Sequence, residues 1–203
     1  MDFLATAFDY FLHLDKHLGV IIQDYGVWTY AILFLVIFCE TGLVVTPFLP
    51  GDSLLFACGA FAATGALDLA VLMTVLIFAS IIGDSTNYTI GYNFGHRFKR
   101  KYIEKTRQYY DKYGAKTMVI ARFVPIVRTF APFMAGVGKM KTRVFALFIV
   151  IGAILWVSVT VLSGYFFGNL PFVRENFGLV IVVIILISIL PAVIEVIRHK
   201  RAQ

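Results

Sequence analysis

The chain alternates long apolar runs with short polar joints, and run length assigns most of its elements. Val144 to Gly168 holds no charged residue and is long enough to cross a bilayer as one helix. A last span is predicted over 177–197, built on the apolar run Phe177 to Ile194 and interrupted by Pro191. A third span over 69–95 carries Asp84, Asn87 and Asn93, so one polar face must turn inward. Met1 to Asp24 places Phe3, Leu4, Ala7, Phe8, Phe11, Leu14 and Leu18 at helical spacing, which predicts an interfacial amphipathic helix over 1–24. Residues 97–116 predict a second such surface segment, basic and rich in tyrosine.

Two stretches break this pattern. Residues 25–67 are apolar except for Glu40 and Asp52, and their middle reads TPFLPGD. Pro47 and Pro50 remove backbone donors and Gly51 permits a tight turn, so a helix must break there. The stretch is a re-entrant hairpin or two tight spans. Residues 117–138 hold Arg122, Arg128, Pro125 and Pro132 within one span's length, with basic clusters at both ends. Both ends then prefer the cytoplasm, which predicts a second re-entrant hairpin. The expected fold is an all-α integral membrane domain over 1–203. It has two opposed re-entrant hairpins, about three full spans and interfacial helices. The symmetry of this arrangement rests on topology; no residue-by-residue repeat is assigned.

Composition supports the membrane reading. Of 203 residues, 60% are hydrophobic and 15% charged, where soluble domains carry about 25% charge. The net charge of +6 gathers at 97–116, at Lys139, Lys141 and Arg143, and at Arg198, Lys200 and Arg201. Each cluster flanks an apolar segment, so it reads as a cytoplasmic flank and not as a nucleic-acid surface, and the C-terminus is expected in the cytoplasm. No cleavable signal peptide is expected, because the N-terminus is acidic. Cys39 and Cys58 sit in apolar runs without metal-type spacing and read as small buried residues.

The chemistry lies in the charges at membrane depth: Glu40, Asp52, Asp84, Arg122 and Arg128. Each costs about 2.5–3.5 kcal/mol on insertion scales, so it must be paired, hydrated or functional. Arginine binds phosphate with a planar bidentate fork and keeps its charge, which marks Arg122 and Arg128 as candidates for a phosphate headgroup. If the hairpin tips meet, Glu40 and Asp52 oppose those guanidiniums. They balance charge or handle protons, with Asp84 as a third candidate, and an ion-pair lock without further function stays open. The pairs Gly91/Gly95 and Gly164/Gly168 read as sites of close helix packing. The histidines, His13, His17, His96 and His199, lie in terminal or boundary segments, and no nucleophile or metal cluster accompanies the arginines. An enzyme is therefore not expected, and no cofactor or metal is implied.

Three motifs resemble the DedA family of bacterial inner-membrane proteins, relatives of proteins with the VTT (SNARE-associated) domain. They are ETGLVVTPFLPGDSLLF (Glu40 to Phe56), GDSTNYTIGYNFG (Gly83 to Gly95) and RFVPIVRTFAPFMAGVGKM (Arg122 to Met140). The spacing of Arg122, Pro125 and Arg128 agrees with the family's arginine motif, while Ala121 and Ile120 stand where an aromatic often precedes the first arginine. The resemblance covers nearly the whole chain. It implies two opposed hairpins and functional roles for Glu40, Asp52, Arg122 and Arg128. It also implies lipid transport, with undecaprenyl phosphate recycling as the leading activity, coupled to protons in some proposals. Phosphatidylethanolamine translocation and proton-coupled transport of a small solute are the alternatives. The partners expected are a polyprenyl phosphate or phospholipid, membrane lipids and protons; self-association into a homo-oligomer stays open.

Overall fold

The computed structural model describes residues 14–42, 51–94, 104, 110, 114, 116–168, 170–177, 179–180 and 182–184. Within them the chain is helical, without strands: α1 (Leu14–Tyr25), α2 (Trp28–Gly42), α3 (Gly51–Ala63), α4 (Leu69–Phe94), α5 (Thr117–Ala121), α6 (Pro125–Val137), α7 (Thr142–Phe167) and α8 (Pro171–Glu175).

Two helices, α4 and α7, are each 26 residues long and apolar enough to cross a membrane. At 1.5 Å per residue each runs about 39 Å, against a hydrocarbon core of about 30 Å. They match the spans expected over 69–95 and 144–168, the second beginning two residues earlier. The flanking helices are shorter: α2 has 15 residues and α3 has 13, or about 22 and 20 Å. The second broken stretch divides into the five residues of α5 and the 13 of α6.

Proline explains one of these breaks. Pro125 occupies the first helical position of α6, where a missing N–H costs nothing. The residue before it, Val124, is extended (φ −117°, ψ 106°), as proline requires of its predecessor. Pro132 behaves differently from the expectation that it breaks the hairpin. It lies inside α6, and the helix continues through it to Val137. Gly51 is the first residue of α3. Pro47, Pro50, most of 97–116 and most of the span 177–197 lie outside the described residues.

The helices pack in a pattern that repeats. α2 lies on α4 and α3 on α7; in the second half α5 lies on α7 and α6 on α4. Exchanging α2, α3 and α4 with α5, α6 and α7 reproduces the packing, and the glycines show the same exchange in detail. A Cβ on Gly164 would collide with the Phe56 backbone, and one on Gly91 with the Phe133 backbone. Gly59 faces the backbone of Val161 and Tyr165, and Gly136 that of Tyr88 and Tyr92. The sequence signal is GYNFG from Gly91 and GYFFG from Gly164. The shared tyrosine and phenylalanine extend the two small-residue pairs into a repeat that agrees at four of five positions.

Helix α1 is more than a surface anchor. Leu18 is buried in the core with Leu33, Leu55, Leu72 and Trp156. α1 packs on α2 and α3.

Candidate functional site

The five expected charges converge. Glu40 lies in the last turn of α2 and Asp52 in the first turn of α3; Arg122 caps the C-terminus of α5 and Arg128 lies in the first turn of α6. All four therefore sit at helix ends beside the two breaks. Asp84 enters from near mid-length of α4.

Pairing follows a different plan from the one expected. Arg128 takes both hairpin carboxylates: its Nη2 donates to Glu40 Oε1 at 2.5 Å and its Nη1 to Asp52 Oδ1 at 2.9 Å. Arg122 is not opposed by Glu40 or Asp52. Its guanidinium donates to Asp84 Oδ2, to Ser80 Oγ and, at 3.5 Å, to the Ile149 carbonyl. Asp84, expected as an accessory group, is thus the partner of one arginine. The reason is topological: α5 lies on α7 beside α4, and Ser80 and Asp84, one turn apart on α4, face the loop that carries Arg122.

The cluster is closed on most sides. Glu40, Asp84, Arg122 and Arg128 are all buried, while the side chain of Asp52 keeps 21% of its surface accessible. Buried charges hold such positions only when paired, because the desolvation penalty is several kcal/mol per ion. Several buried atoms lack a hydrogen-bond partner among the described residues: Arg128 Nε, Asp84 Oδ1, Asn87 Oδ1 and Ser53 Oγ. Donor and acceptor capacity therefore remains inside the cluster.

Two glycines make room for it. The Glu40 carboxylate lies where a Cβ on Gly51 would be, so only glycine fits that helix start. On α7, a Cβ at Gly152 would sit 3.1 Å from Arg122 Nε.

Sequence reasoning missed Trp156, which α7 supplies from near mid-length. Its indole N–H donates to Asp52 Oδ1 at 2.7 Å. Its ring lies 4.7 Å from the Arg128 guanidinium carbon and 6.0 Å from that of Arg122. A signal existed: tryptophan prefers membrane interfaces, and this one stands in the middle of a charge-free span. Ser80 was also missed, although it lies four residues before Asp84 on the same helix face. Asn87 ties the site to both broken stretches. Its amide donates to the Thr41 carbonyl at 3.2 Å and to the Thr129 carbonyl at 2.7 Å. The first carbonyl belongs to the last turn of α2, and the second to the turn that Pro132 leaves one donor short.

Residues 49–166, which contain α3 to α6 and most of α7, match the VTT domain. The chain is 55% identical to Protein DedA of Escherichia coli, covering 100% of this chain and 97% of the relative. The chain belongs to the DedA family. An uncharacterized membrane protein of Mycobacterium tuberculosis is 39% identical over 88% of this chain and 84% of its own length. Inner membrane protein YghB of Escherichia coli is 33% identical over 72% of this chain and 71% of its own. No solved structure matches. With two membrane-length helices and relatives named as membrane and inner-membrane proteins, this DedA-family chain is a bacterial inner-membrane protein. Among the described residues no group of histidine, cysteine or acidic side chains could hold a metal ion.

Proposed function

We propose that the chain moves a lipid phosphate across the inner membrane, with undecaprenyl phosphate as the substrate. In this reading Arg122 and Arg128 receive the phosphate. Glu40 and Asp52 hold the empty site neutral and are displaced, or protonated, when it arrives. The observation that carries the reading is the buried arrangement itself: two guanidiniums from the short helices α5 and α6, packed against Asp84 and Trp156 near mid-length of the two membrane-length helices, and paired with carboxylates that a phosphate can replace. Phosphate offers the same bidentate acceptor geometry as carboxylate, with more charge.

The re-entrant arrangement belongs to the same proposal. Helices α2 and α3, at about 22 and 20 Å, are each shorter than the hydrocarbon core, and α5 is shorter still. Two hairpins entering from opposite faces bring their breaks together at mid-membrane, and the repeated packing supports that symmetry. The basic clusters then place the C-terminus in the cytoplasm. A lipid's phosphate would enter laterally while its tail stays in the bilayer, and protons would supply the driving force through the carboxylates.

Native mass spectrometry of the purified protein tests the substrate. Undecaprenyl phosphate should be retained in preference to phosphatidylethanolamine, and the preference should vanish in Arg122→Lys and Arg128→Lys. Equal retention of both lipids by the wild type would reject a polyprenyl phosphate substrate in favour of a general phospholipid carrier.

A further inference from the structure

Trp156 contacts Asp52 and both guanidiniums. One oxygen of Asp52 accepts two donors, Arg128 Nη1 at 2.9 Å and Trp156 Nε1 at 2.7 Å. The same indole faces the Arg128 guanidinium at 4.7 Å and the Arg122 guanidinium at 6.0 Å. The tryptophan is buried. Asp52 is the exposed carboxylate of the pair, with 21% of its side-chain surface accessible against 1% for Glu40. It is therefore the carboxylate with room to leave.

We propose that Trp156 is the positioning residue of the site: its N–H keeps Asp52 when Arg128 lets go, and its ring keeps both guanidiniums in place while they exchange partners. The inference rests on the lipid-phosphate reading above. An anion that takes Arg128 must break the contact to Asp52. A carboxylate released into an apolar interior with no donor is costly. The indole N–H is already bonded to the oxygen that Arg128 gives up, so Asp52 stays solvated by the protein. Meanwhile Arg128 lacks a carboxylate for the time the phosphate takes to seat. A desolvated cation over an indole face is attracted electrostatically, and tryptophan provides the strongest such face. Trp156 is also the largest of the fully buried side chains, so a packing loss accompanies any smaller residue and the kinetic split must separate it from the two polar roles.

The two interactions separate by substitution. Trp156→Phe keeps a ring and deletes the N–H; Trp156→Leu removes both. Transport of undecaprenyl phosphate is measured in proteoliposomes as a function of lipid concentration, in a Trp28→Phe background. Trp28 is exposed at the start of α2, far along that helix from Glu40, and its replacement should leave transport unchanged. Trp156→Phe should bind the lipid with near wild-type half-saturation and turn over about tenfold more slowly, the scale of one charge-assisted hydrogen bond. Trp156→Leu should also raise the half-saturation concentration about tenfold, the scale of a desolvated cation–π contact. A residue needed only for packing would not split rate from half-saturation in this way. Phe and Leu variants with identical kinetics, or a Leu variant with wild-type kinetics, would overturn the inference.

A second measurement needs no transported lipid. An apolar carbodiimide should modify Asp52 faster in Trp156→Phe than in the tryptophan protein, as read by mass spectrometry of the peptide, because the carboxylate has lost a donor. Unchanged labelling overturns the role of the N–H. If wild type carries no undecaprenyl phosphate, the proposed function falls, and this labelling still decides the role of Trp156.

Discussion

Asp84 gives the sharpest prediction, because among the described residues Arg122 has one carboxylate while Arg128 has two. Asp84→Asn keeps the shape and one acceptor oxygen but leaves Arg122 buried without a counter-charge. Breaking a buried pair from one side costs about 3–5 kcal/mol, and the retained acceptor places this change near 3. Glu40→Gln leaves Arg128 paired with Asp52 and loses one charge-assisted hydrogen bond, about 1.5 kcal/mol. A chain of this size loses about 2–4 °C of melting temperature per kcal/mol, so Asp84→Asn should melt about 6–12 °C lower and Glu40→Gln about half that. Thermal melting in detergent, followed by helical signal, reads the difference. The double variant Arg122→Met with Asp84→Leu removes both charges and should melt closer to wild type than either single variant. Additive losses in the double variant, or a Glu40→Gln loss equal to that of Asp84→Asn, would refute the assignment of Asp84 as the sole carboxylate of Arg122.

The remaining predictions concern packing around the breaks. Gly51→Ala should abolish transport, because the new methyl group occupies the place of the Glu40 carboxylate; wild-type transport in that variant would contradict the close approach. Gly136→Ala and Gly59→Ala each push a methyl group into a helix backbone and should cost about 1–3 kcal/mol, lowering the melting temperature to a similar degree in both halves. A large loss in one and none in the other would contradict the repeated packing. Asn87→Ala removes two buried hydrogen bonds, at about 0.5–1.5 kcal/mol each, and its melting temperature should fall about as far as that of Glu40→Gln.

Much of this was legible from residue pattern. The helices α4 and α7 were readable because a membrane span is set by the length of a run without charge, and length survives without tertiary knowledge. Arg122 and Arg128 stood out because their desolvation penalty is large enough to demand a reason. The break at Pro125 was readable from the fixed φ of proline and the extended residue before it. Pairing was not readable, since it depends on which helices face one another: Asp84 reaches Arg122 only because α5 and α4 meet at α7. Pro132 was misjudged for a related reason. Whether a helix continues through a proline, and whether a neighbour crowds a glycine's Cβ, both depend on contacts distant in sequence. Trp156 looked like one more apolar residue, because its two polar roles appear only when Asp52 and the arginines arrive beside it.

The central claim is that two fixed guanidiniums, and not merely two positive charges, receive the phosphate. Translocation of undecaprenyl phosphate in proteoliposomes by wild type and by Arg128→Lys tests it most directly. Lysine keeps the charge that Glu40 and Asp52 require, so the variant should fold with nearly the wild-type melting temperature, but an ammonium cannot offer the bidentate fork. The account predicts a folded Arg128→Lys protein whose transport falls to the rate of protein-free liposomes. Wild-type transport by that variant would contradict bidentate phosphate binding and leave the cluster as a charge lock.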